Sequence, residues 1–199
     1  MEITLSNVSK SFGSNKVIEK FSFSFNKGIY AILGKNGSGK STLLKIIGNL
    51  ISPSSGKVIY DIKKNYDVTK TIFFCAPYQE LLSELTVKEF LKFHFKFRSP
   101  TNNYNNILKE FKLDSYINHQ IENLSSGSIQ KLKLVISFFS DSEFILLDEP
   151  TTNLDHEGKK TYLKVLKELS SKKVIIIATN DKDDYLTVTG KTSIINLDN

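Results

Sequence analysis

Hydrophobic and polar positions alternate with two different periods along this chain, and the change of period divides it. In FSFSF, Phe21–Phe25, aromatic and hydroxyl residues alternate at period two, as in a strand with one buried face. Residues 1–33 read as β throughout and end in the apolar run Ile29–Leu33, just ahead of a glycine. From Lys40 to about Asn49 the apolar positions recur at helical spacing. Pro53 to Gly56 reads as a turn, and Val58–Tyr60 and Thr71–Cys75 as strands. The stretch Thr86–Phe97, with its run EFLKFHFKF, predicts a helix. Asn102–Asn106 reads as a polar loop, with helix resuming over Ile107–Phe111. Ser125 is placed to cap a helix running to about Ser140. Phe144–Leu147 and Lys173–Ala178 are continuously apolar, which predicts strands buried on both faces, and Glu157–Leu169 between them reads as helix. The order predicts an α/β fold in which an antiparallel β region comes first and helices then interrupt a parallel core.

The glycines give this pattern a chemistry. Residues 34–42 read GKNGSGKST, lying between an apolar strand and an amphipathic helix. Gly34, Lys35, Asn36, Gly37, Ser38, Gly39, Lys40, Ser41 and Thr42 together fit a phosphate-binding loop. Glycines let backbone N–H groups turn inward around phosphate oxygens, and the helix N-terminus adds its positive dipole end. Lys40 would reach the β- and γ-phosphates, and the Ser41 hydroxyl would ligate Mg²⁺. Further along, the buried strand in FILLDE ends in Asp148, at the edge where open α/β sheets bind ligands. Asp148 is placed to hold Mg²⁺ through water, and Glu149 to polarise a water attacking the γ-phosphate.

Bulk composition adds little that conflicts. The chain has 199 residues, a net charge of +6 and a pI near 9.2, which suits an anionic partner without choosing one. Arg98 is the sole arginine, which argues against specific nucleic-acid recognition. The lone Cys75 allows no intrachain disulfide and fits a reducing compartment. The start of the chain has no signal-peptide core, and its longest apolar runs are strand-sized, so a soluble chain is expected. His94, His119 and His156 have no metal-ligand spacing and read as surface or structural residues.

Two further segments carry a family resemblance. LSSGSIQKLKL, residues 124–134, resembles the signature motif of the ABC ATPases, and LLDEPTTNLD, residues 146–155, their fused Walker B and D-loop segment. The resemblance runs along essentially the whole chain. It implies a P-loop NTPase core with an N-terminal antiparallel β-subdomain and an inserted α-helical subdomain. The expected division is β-subdomain and phosphate loop over 1–77, helical subdomain with signature over 78–138, and Walker B, D-loop and switch over 139–199. It also implies that Phe12 stacks on adenine, though an ordinary edge or core aromatic fits that position too, and that Val17 flanks the base. Ser125, Ser126, Gly127 and Ser128 would meet the ATP of a second such domain, with Asp155 at the seam between the two.

Three positions depart from the family pattern. The signature reads LSSGS rather than LSGGQ. The loop glutamine expected near Pro77 is absent, which leaves either Gln79, two residues on, as ATP and metal ligand, or a loop that has lost it. Residues 178–181 read ATND, so Asn180 stands where the switch histidine is expected. An asparagine donates a hydrogen bond to a γ-phosphate but carries no proton, which predicts slower turnover.

The expectation is an ATP- and Mg²⁺-dependent ATPase subunit of an ABC transporter, cytoplasmic and held at the inner membrane face by a separate permease. Export is the expected direction, by analogy with compact subunits of that kind. The alternatives are a soluble iron–sulfur-assembly or ribosome-associated ATPase, or a weakly hydrolysing scaffold. Phe90, Phe93 and Phe97 lie at helical spacing and read mostly as subdomain core, with a minority facing the permease.

Overall fold

The computed structural model describes residues 1–62, 67–100, 104–185 and 192–198. Strands β1 (Glu2–Phe12) and β2 (Asn15–Phe25) form a hairpin, and β3 (Gly28–Leu33) follows directly. Helix α1 (Lys40–Ile47) leads to β4 (Ser55–Asp61), which pairs with the free edge of β1 to give the antiparallel order β2-β1-β4. The alternation read from Phe21–Phe25 is realised in this sheet, with Phe25 buried and Ser22 and Ser24 exposed.

The second sheet is parallel. The short helix α2 (Val68–Thr71) precedes β5 (Ile72–Cys75). After helices α3 (Val87–Phe97), α4 (Tyr104–Glu110) and α5 (Ser126–Phe139) comes β6 (Phe144–Asp148). Helix α6 (His156–Leu169), β7 (Val174–Ala178) and β8 (Thr192–Asn196) complete it, in the order β5-β6-β7-β3-β8. Every residue of β6 and β7 is buried, which their unbroken apolar runs require. Alternate side chains serve different cores. Ile145, Leu147, Ile175 and Ile177 pack with α3, α4, α5 and α6, whereas Phe144, Leu146, Val174 and Ile176 pack with α1 and the antiparallel sheet. Register then fixes the site: Cys75 lies beside Leu147, Asp148 beside Ala178, and Ala178 beside Ile32. The loops after β3, β5, β6 and β7 therefore leave the sheet at one edge.

Local signals set the helix starts. Thr86 closes a capping box, its Oγ1 accepting from Glu89 N at 3.2 Å while Thr86 N donates to Glu89 Oε2 at 2.9 Å. Ser125 caps α5 by accepting from Ser128 N at 3.1 Å, as its sequence position predicts.

Several expectations change. The polar stretch 104–106 opens α4 rather than forming a loop, and residues 102–103 lie outside the described residues. Ser55 and Gly56 already belong to β4. Strand β8 was not anticipated, because TSIIN is short and forms the exposed edge of the sheet. Of the aromatic stripe only Phe90 is core, at 6% exposure; Phe93 is 45% and Phe97 69% exposed, since none of the described residues buries the outer face of α3.

His94 shares that helix and is half-buried against the rings of Phe73, Phe90 and Phe95, with Nε2 2.9 Å from Ser140 Oγ. Burial, with the Arg98 charge added, pushes its pKa down to about 4. The unfolded chain takes up a proton near pH 6.5 that the folded chain refuses, so stability is lost as pH falls from that value towards 4. The melting temperature is expected to drop across this interval by several degrees, and His94→Gln to flatten the drop, as measured by thermal denaturation at stepped pH.

Candidate functional site

The loop after β3 is shaped by three glycines with positive φ, at 155° for Gly34, 85° for Gly37 and 98° for Gly39. A Cβ on Gly34 would collide with Ser38, and one on Gly39 would come within 2.8 Å of Ile18 and 2.9 Å of Val17. Lys40, nearly buried, spans the loop and donates to the carbonyls of Gly34 at 2.6 Å and Lys35 at 3.0 Å. These two carbonyls hold the ammonium in place inside the loop. Among the described residues, the buried side-chain polar atoms without a hydrogen-bond partner are Ser38 Oγ and Thr192 Oγ1. An orphaned hydroxyl inside a glycine cradle is what an absent anion would satisfy.

Asp148, 3% exposed, ends β6 directly beside this loop. Ser41 Oγ donates to its Oδ1 at 3.0 Å, and the Tyr78 hydroxyl approaches its Oδ2 at 3.4 Å. Burial pushes the Asp148 pKa up; the Ser41 hydrogen bond opposes the rise and the neighbouring Glu149 charge adds to it. A buried carboxylate in that situation gains from a cation. The hydroxyl and carboxylate oxygens are hard donors that suit Mg²⁺, which binds through one or two protein oxygens together with phosphates and water. Among the described residues no cluster of three or more His, Cys, Asp or Glu side chains offers an all-protein metal site.

Glu149 follows with φ 43°, its amide donating to Ala178 O at 2.8 Å, so that its side chain leaves the sheet and stands exposed on the cleft wall. Phe12, Val17, Asn36, Gly37, Gly39, Lys40, Ser41, Thr42 and Glu149 line a cleft of about 430 Å³. Phe12 is 53% exposed at its mouth with Lys10 Nζ 5.1 Å from the ring centre, so it is not a core residue. Lys35 turns its amide to Asp198 Oδ1 at 2.8 Å. Asn180 donates from Nδ2 to Asn36 Oδ1 at 2.5 Å, which ties the loop after β7 to the phosphate loop. The residues expected to act together are thus largely brought together.

Three further candidate groups lie outside this cleft, two of which, the signature residues and Asp155, were expected to face a second domain. Ser125, Ser126, Gly127 and Ser128 do not line this cleft: Ser125 caps α5, exposed Ser126 lines a separate cavity with Tyr78 and Asn153, and Gly127 packs on Asn153 O. Asp155 caps α6 through Gly158 N at 2.8 Å and pairs with Lys131 at 3.0 Å. Gln79 does not line this cleft either, and its Oε1 accepts from Ala76 N at 2.8 Å. Sequence reasoning missed Tyr78, which reaches Asp148 from that same loop, and three buried side chains that hold the site's loops. Lys133 donates to Pro77 O at 2.6 Å, and Gln130 to Pro150 O at 2.7 Å. Asp184 accepts from Thr151, and from Thr179 at 2.5 Å, joining the loops after β6 and β7. The signal available for the first two was a polar residue on the inward face of an otherwise apolar helix.

The family model described as ABC transporter matches residues 18–152, from β2 through the phosphate loop to just past Glu149. The chain belongs to the ABC transporter family. It is an ATP-binding subunit of that family and an ATPase. It is 36% identical to the zinc import ATP-binding protein ZnuC of Wigglesworthia glossinidia brevipalpis over 79% of this chain and 66% of that one. It is 32% identical to the macrolide export ATP-binding/permease protein MacB of Campylobacter jejuni over 90% of this chain but 30% of that much longer one. Among solved structures it resembles the dimeric, post-hydrolysis state of the ATP-binding cassette MJ0796 bound to ADP and Pi, with 28% identity, a TM-score of 0.72, and coverage of 90% of this chain and 88% of that one. Among the described residues no helix of this ABC subunit is long and apolar enough to cross a membrane.

Replacing Lys40 by Ala removes the one ammonium that spans the loop. ATP affinity, measured by isothermal titration, is expected to fall by about 100-fold or more, or ~2.7 kcal/mol.

Proposed function

We propose that two copies of this ABC subunit close head-to-tail over two ATP molecules and drive a separate membrane subunit. The convergence of Lys40, Ser41, Asp148, Glu149 and Asn180 at one sheet edge carries this reading. Loop amides of Gly34–Thr42 and Lys40 bind the phosphates, while Phe12 and Val17 receive the base. Ser41 and Asp148 would hold Mg²⁺, which would supply positive charge to offset the phosphates. Glu149 orients water for in-line attack, and Asn180 donates to the γ-phosphate. Each chain completes the other's site through Ser125, Ser126, Gly127 and Ser128, with Asp155 at the seam. The exposure of Ser125 and Ser126 outside the cleft that Lys40, Ser41 and Glu149 line supports a site shared between two copies.

The division into 1–77, 78–138 and 139–199 then has a mechanical sense. The phosphate loop and acidic strand hold nucleotide, and the middle segment carries both the trans-acting signature and the surface that meets the membrane subunit. A cavity of about 650 Å³ between Gln79–Glu84 and α3, lined on the helix by exposed Phe93 and half-buried His94, is that surface in our reading. Such a partner places the subunit at the cytoplasmic membrane face. Direction and cargo belong to the partner, and since the relatives include both import and export proteins, the expectation of export is not carried further.

Glu149→Gln is expected to retain Mg·ATP binding, lose about 100-fold or more of kcat, and accumulate an ATP-bound dimer. Steady-state hydrolysis with light scattering on the same samples checks this; normal turnover in the variant removes Glu149 from its role. Asn180→His is expected to raise kcat several-fold and to add a pH dependence near 6.5 that the wild-type rate lacks, because asparagine does not titrate. A pH–rate profile of both proteins reads this directly.

A further inference from the structure

The loop between β5 and α3 reaches the acidic strand through one side chain. Tyr78 is 55% exposed, so apolar packing does not fix it, yet it is held at both ends. Its ring lies under the Lys45 ammonium at 5.0 Å, and its hydroxyl stands 3.4 Å from Asp148 Oδ2. The backbone behind it is pinned from two sides. Gln79 Oε1 accepts from Ala76 N at 2.8 Å, and the nearly buried Lys133 of α5 donates to Pro77 O at 2.6 Å and Ala76 O at 3.4 Å. The arrangement that turns Gln79 inward therefore leaves Tyr78 facing the carboxylate.

We propose that Tyr78 is a positioning residue of the cation site, fixing the outer oxygen of Asp148 while Ser41 fixes the inner one. The inference rests on the ATPase reading and deepens it. A carboxylate held at one oxygen swings about that contact; held at both, it presents its remaining lone pairs in one direction, which suits a small octahedral cation. The phenol is also suited by chemistry to this place. It is a neutral hydroxyl, able to donate to the carboxylate or accept from a metal-bound water, and it adds no charge beside Asp148 and Glu149. The 3.4 Å separation is long for a hydrogen bond, so the hydroxyl is the looser of the two contacts on Asp148. Through Lys133, the same loop is fastened to the helix that carries Ser126 and Ser128.

The test uses the full chain carrying Glu149→Gln, so that no turnover intervenes. Mn²⁺ is titrated in the presence of ATP and followed by electron paramagnetic resonance, and ATP binding is measured separately in EDTA. Adding Tyr78→Phe keeps the ring and removes only the hydroxyl. The expected result is about a tenfold weaker Mn²⁺ affinity, with metal-free ATP affinity and melting temperature unchanged. A Mn²⁺ affinity within twofold of the parent overturns the proposal. So does a loss seen with Gln79→Ala but not with Tyr78→Phe, which assigns the role to Gln79. If the parent chain binds neither ATP nor Mn²⁺, the ATPase reading itself fails, an outcome distinct from loss in Tyr78→Phe alone.

Discussion

A serine hydroxyl and an aspartate carboxylate, 107 residues apart in the chain, meet at 3.0 Å at the edge of the parallel sheet. Ser41 can stand there only because the phosphate loop ends in a helix directly after β3, and Asp148 only because β6 ends in register with β7, which in turn pairs with β3. A one-residue slip in either pairing would turn Asp148 to the opposite face. That constraint explains why β6 and β7 are buried at every position. Nothing on their faces is left to water, and the register is fixed by both cores at once.

The loops around this contact are governed by polar side chains that the apolar core encloses. Asp184 takes hydroxyl donors from Thr151 and Thr179, and its backbone carbonyl accepts from the buried Tyr162 hydroxyl at 3.1 Å. Burial pushes the Asp184 pKa up, against the effect of those hydroxyls. Gln130 and Lys133 perform the same service from α5, Gln130 donating to Pro150 O and Lys133 to Pro77 O. One helix therefore holds both loops that flank Asp148, and the segment carrying Asn180 is joined to the segment after Glu149 through a single carboxylate.

What was legible in the sequence were the features with local causes. Glycines at fixed offsets, a buried apolar run ending in acids, and the capping residue Ser125 each act through the few residues beside them. What was hidden depends on distant partners. Strand β8 exists as an edge because β3 offers one, and its mixed composition follows from exposure rather than from any strong preference. The stripe of α3 has the spacing of a core face, but only Phe90 meets the core, because the helix is covered on one side alone. Tyr78 could not be chosen over Gln79 by composition; the choice is made by Ala76 N and Lys133, which set the direction of the loop.

Glu149 has a non-glycine backbone at φ 43°. That conformation is unfavourable for a side-chain-bearing residue by about 1 kcal/mol. The strain turns the chain sharply out of β6 and aims the carboxylate at the cleft. Glycine would relieve it and delete the carboxylate together, so under the role proposed for Glu149 thermostability and turnover pull in opposite directions at this position. An engineering campaign selecting variants by heat resistance alone would drift towards inactive protein here, and the error would be invisible to any screen that measures only folding.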